Sequence, residues 1–116
     1  MRNARLQAAD GCVVCERCAI ADRPWSRMRG LLGRASLDSN EGLLIRPAGS
    51  IHMLFMRFPI DAVFCDRDLV VVDVVRGLRP WRAAARRGAK VVIELADGAA
   101  AGIGPGDRLS LGTIEP

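Results

Sequence analysis

A chain of 116 residues, half of them hydrophobic and about a quarter charged, suits one globular domain with a single core and excludes a disordered chain. Its apolar runs fall far short of the ~18 residues that a spanning helix needs, so no membrane span is expected. A net charge of +4 and a pI near 9.4 permit attraction to anionic partners without demanding it. The basic residues are scattered along the sequence, and three Phe, two Trp and no Tyr leave few stacking platforms, so nucleic acid is not an expected partner.

In chain order, residues 1–11 show no period and read as a loosely ordered lead-in; they carry positive charge but no apolar run, which fails as a secretory signal and makes a cytoplasmic location the expectation. Val13 to Ala21 alternates and predicts a strand. Asp22 then reads as a helix N-cap, with Trp25, Met28 and Leu32 at helical spacing and Gly30 or Gly33 as the stop. Residues 41–47 read as a short strand closed by Pro47.

The stretch His52 to Asp66 holds the only His, all three Phe, and an Arg and an Asp inside apolar surroundings. It predicts two strands, about 51–56 and 60–66, joined through Arg57, Phe58 and Pro59, and after a turn at Asp66 to Asp68 the β-branched run 69–75 extends them into a meander. Residues 77–88 read as a long loop or brief helix, 89–96 as another strand, Asp97 as the cap of a single helical turn, 104–107 as a turn and 108–111 as a closing strand. The sum is an α+β fold: a mainly antiparallel sheet, rolled into a small partly open barrel, with one or two short helices.

Cys12, Cys15 and Cys18 stand three apart, as thiolates sharing a metal can. Three ligands are one short of a closed site, the fourth would have to be distant Cys65 or His52, and strand alternation turns Cys15 away from the other two. No metal or cofactor is therefore expected, and a redox-labile Cys12/Cys15 pair is the weaker alternative to ordinary thiols.

Arg29 to Arg34, Glu41 to Leu44, His52 to Asp61, Val92 to Leu95 and Gly106-Asp107, in that order, make residues 13–112 resemble the family catalogued as domain of unknown function 192. The resemblance implies a small, single-domain, β-rich bacterial and archaeal fold without an established activity. Its motif residues fall here on Arg34, His52, Met56, Arg57, Pro59, Asp61, Glu94 and Asp107. Many relatives carry an export leader, which this sequence does not display.

Polar groups set in an apolar stretch are either structural pins or the walls of a site. Asp61 can pair with Arg57 or Arg34 and lock the turn. His52 offers an imidazole for acid–base work, and Glu94 alternates away from Ile93 and Leu95 into solvent or a polar pocket. Arg34, His52, Met56, Arg57, Asp61 and Glu94 are the candidate ligand-binding residues of a non-enzymatic accessory domain that holds a small molecule or a partner segment near the 52–61 hairpin. The alternative is a small hydrolase-like enzyme using Asp61, His52 and Glu94, which requires those three to converge.

Overall fold

A computed structural model describes residues 2–23, 34–54 and 56–113. It contains β1 (Arg2–Ala8), β2 (Val13–Ala21), β3 (Glu41–Ile45), β4 (Ser50–His52), β5 (Ile60–Cys65), β6 (Val71–Leu78), β7 (Ala83–Ala85), β8 (Val91–Ala96) and β9 (Leu109–Gly112). Seven strands form one sheet in the order β6-β5-β8-β3-β2-β1-β9, and β4 and β7 form a separate pair. All pairings are antiparallel except β2 with β3.

The expected α+β class is corrected to all-β, since no helix occurs among the described residues and the sheet curls into half a barrel. The helix expected after Asp22 lies outside the described residues. Residues 97–102 form successive hydrogen-bonded turns, with Ala99 N–H donating to Ala96 O and Ala101 N–H to Gly98 O. Residues 2–8, expected to be loose, form a strand between β2 and β9. Ala, Asn and Gln have little strand preference of their own, and pairing on both sides with inward Ala4 and Leu6 overrides it. The expected three-strand meander reduces to β5 and β6, because β4 leaves the main sheet to pair with β7.

Curling brings the sheet's two edges together. Val70 bridges Arg108, Leu109 N–H donates to Leu69 O (2.9 Å) and Val71 N–H to Asp107 O (2.7 Å). Side chains therefore separate into two cores. Inside the curl, every strand of the main sheet contributes to a cluster that includes Leu6, Ile20, Leu44, Val63, Ile93, Leu95 and Leu109. Outside it, Leu43, Ile60, Ala62, Phe64 and Val92 are covered by Ile51, Met53, Met56 and Leu78. β5 is buried on both faces over its whole length, and β8 over all but its last residue.

Asp61 is fully buried and faces the interior with Val63. Its Oδ1 accepts from Gly77 N–H (2.9 Å), and its Oδ2 from Gly98 N–H (3.1 Å) and Ala100 N–H (2.9 Å). The pin is real, but its partners are backbone amides and not Arg57 or Arg34. A bulge in β6 opposite Asp61, with Gly77 in a left-handed conformation (φ 63°), points one of those amides inward. Arg76 reinforces the same corner by donating to the Ala100 and Ile103 carbonyls.

Asp61→Asn replaces one accepting oxygen with an amide that donates toward N–H groups. Denaturant melts are expected to show a loss of about 2 to 4 kcal/mol with an unchanged m-value. A loss below about 1 kcal/mol would mean the corner holds without the carboxylate.

Candidate functional site

β8 reads Val-Val-Ile-Glu-Leu-Ala, and strict alternation sends Ile93 and Leu95 into the curl and Val92 and Glu94 to the outer layer. Glu94 stands opposite Leu43 of β3 and Ala62 of β5, with Ala19 of β2 next along the same row. Its residue exposure is 5%. Among the described residues no hydrogen bond or ion pair reaches its carboxyl group, and burial alone pushes that group up to about 7. Unpartnered buried carboxyls are uncommon because desolvation disfavours the charged form. The flanking neighbours of Glu94 on the sheet are Leu43 and the small Ala62, with Ala19 one strand further on.

The outer cover comes from the segment between β4 and β5. Met53 and Met56 are buried, Phe58 and Pro59 half-buried, and Met56 N–H donates to Met53 O (3.2 Å) in a turn. Sequence reasoning placed Met56 among the candidates and overlooked Met53, which belongs to the same apolar cluster.

The other candidates lie elsewhere. Asp61 faces the interior, on the side of the sheet opposite Glu94, with both its oxygens accepting backbone bonds. His52 is exposed on β4 across from Ala83. Arg34 is exposed and pairs with Glu41 (2.9 Å), holding that carboxyl below its usual range. Arg57 is exposed. The convergence of Asp61, His52 and Glu94 that a hydrolase would need is absent, because alternation on β5 and β8 aims the two carboxyls through opposite faces.

Cys15 and Cys18 lie on one interior face instead of opposite faces. A bulge opposes Ala4 to Cys18 and Leu6 to Cys15, adding one residue to β2 between them. The Cys15 thiol and burial push the Cys18 thiol far up, while Cys12 is exposed beside Asp10. Among the described residues no group of three metal-ligating side chains assembles.

A second feature was not visible as a cluster in the sequence. Residues 46–60 and 79–90 contain seven of the 17 Arg and Lys and none of the 13 Asp and Glu. β4 and β7 lay these two segments side by side. At one end of that ladder Met53 N–H donates to Arg82 O (2.7 Å) and Trp81 N–H to Met53 O (2.7 Å). The turns 53–56 and 79–82 thereby become neighbours, and the absence of carboxylates in both segments was the available signal.

Comparison with known proteins agrees with this architecture. The family model DUF192, described as an uncharacterised ACR, matches residues 5–111. A UPF0127 protein of Thermococcus sibiricus is 38% identical over 94 residues, a match that spans 77% of this chain and 60% of that relative's length. A solved protein of unknown function from Novosphingobium aromaticivorans superposes with a TM-score of 0.78 at 24% identity, over 93% of this chain and 83% of that one. A solved protein from Sinorhizobium meliloti, assigned provisionally to transcription regulation, gives 0.80 at 24% identity, over 94% and 92%. These two structures share the fold.

Glu94 makes stability depend on pH in a defined direction. Its folded value lies above the ordinary 4.5, so the folded state holds a proton that the unfolded state releases; stability is highest below 4.5 and declines as pH rises toward about 7. Glu94→Gln removes this decline. Thermal melts are expected to place the variant above the wild type at pH values over 7, by about 3 kcal/mol at most, and near it below 4.5. Parallel pH profiles for the two proteins would show that Glu94 titrates normally.

Proposed function

We propose, on the premise that the chain belongs to the DUF192 family of uncharacterised proteins, that it is a binding domain for a small, largely apolar molecule that presents an amine to Glu94. The observation that carries this reading is the Glu94 carboxyl, which sits in the outer apolar layer with no protein partner among the described residues while its oxygens still touch solvent. A layer that served packing alone would be more stable with an apolar residue there, since burial disfavours the charged carboxylate.

The surroundings suit such a ligand. Ala62 beside Glu94 and Ala19 beyond Leu43 are the small residues of this row, while Leu43 and Val92 supply apolar contact. Met53 and Met56 form a cover of unbranched side chains that can repack around a guest. In this reading Glu94 is the anchor and Met56 a wall. His52, Arg57 and Arg34 stay on the surface, and Asp61 maintains the sheet from the other side.

The ion pair would form best where Glu94 is ionised, so amine binding is expected to strengthen as pH rises through about 7. Thermal shift assays with short alkylamines and alkylcarboxylates of equal chain length test it. Amines are expected to raise the melting temperature of the wild type above pH 7 and to leave Glu94→Gln unmoved, with the carboxylates inactive on both. Equal shifts in wild type and variant, or none with any amine, would overturn the reading.

A further inference from the structure

The paired turns 53–56 and 79–82 carry Leu54, Arg79, Trp81 and Arg82, all exposed, with exposed Arg57 directly after the first turn and His52 beside them on β4. Leu54 is 42% and Trp81 60% exposed. Trp81 also has a left-handed backbone (φ 68°), a conformation that bulky residues rarely adopt. Bonds from Trp81 N–H to Met53 O and from Arg82 N–H to Arg79 O hold it there.

Charge identifies the kind of surface it meets. The segments that build this lobe hold seven cations and no carboxylate, leaving the rest of the chain with ten basic against 13 acidic residues. Arg86 is engaged with Asp73 and lies over the Phe64 ring, which anchors the lobe to the main sheet. Arg57, Arg79 and Arg82 are exposed and lie close in the chain to Leu54 and Trp81. An exposed indole and an aliphatic side chain on segments rich in guanidinium groups match the interface of an anionic bilayer: apolar tips enter the headgroup boundary and cations meet the phosphates. Single-stranded nucleic acid would use successive aromatic platforms, and Trp81 is the only exposed large aromatic among the described residues.

We propose that the Leu54/Trp81 tip and its flanking arginines dock the domain, reversibly and without spanning, on anionic phospholipid membranes. Attachment is shallow, through two turns and no inserted helix. It is independent of the Glu94 site, which lies in the apolar layer behind β4.

Sedimentation of the full chain with phosphatidylcholine vesicles, with and without phosphatidylglycerol, tests the proposal. Binding is expected only to the anionic vesicles, weakening as salt is added, with a blue shift of indole emission. Trp81→Gly fits the left-handed backbone, and it should abolish the blue shift and reduce binding about tenfold or more. Arg79→Gln/Arg82→Gln should reduce binding about thirtyfold, as expected for two interfacial cations. Thermal melts of both variants check folding. The proposal is overturned by equal binding to neutral vesicles, by no binding, by binding without an emission shift, by full retention in Trp81→Gly, or by tighter binding to a single-stranded oligonucleotide at the same salt concentration.

Discussion

The Asp61 carboxylate is the constraint on which the remaining architecture depends. A sheet that curls on itself must leave its hydrogen-bond ladder at the corner, and the amides released there need acceptors inside a dry core. Asp61 accepts from the β6 bulge at Gly77 and from the 97–102 turns at Gly98 and Ala100. One side chain thereby fixes a neighbouring strand and the connection that leads from β8 toward β9. Such charge-assisted bonds are stronger than neutral ones, and the absence of water keeps them so.

With that corner fixed, β5 and β8 become strands with two buried faces, and this creates the second core. An ordinary half-barrel would turn its outer face to water. Here the β4–β7 pair and the Met53–Met56 turn cover it. The outer layer is closed by methionines and lined by alanines, and Glu94 belongs to it with Leu43 and Ala62 as its neighbours on the sheet. The two carboxyls thus have opposite chemistry although both residues are buried: Asp61 has its oxygens met by backbone amides, whereas Glu94 has no protein partner among the described residues and burial pushes it toward its neutral form.

The cover has a second consequence. Because β4 pairs with β7 away from the main sheet, two arginine-bearing segments separated in the chain come side by side, and their shared tip carries Leu54 and Trp81. Basic residues that look scattered along the sequence are therefore segregated in space. No helix among the described residues is long and apolar enough to cross a membrane, so contact with a bilayer through this tip would be peripheral.

The sequence by itself determined the strand run 13–21, the turn at Asp66 to Asp68, the strand core at 91–96 and the role of Asp61 as a structural pin. Each is a local matter of period, turn chemistry or a polar group in an apolar run. Asp66, for instance, caps its own turn by accepting from Asp68 and Val70 N–H. Only the tertiary structure decided that residues 2–8 are a strand, because their hydrogen-bond partners are β2 and β9 and not their own neighbours. It likewise decided that Cys15 and Cys18 share a face, through a bulge that alternation cannot foresee, and that Asp61 meets amides rather than arginines. Above all it decided that Asp61 and Glu94 never meet. Each strand's period is legible alone, but which face is concave and which is covered depends on how the sheet curls, and curling is set by contacts between residues far apart in the chain.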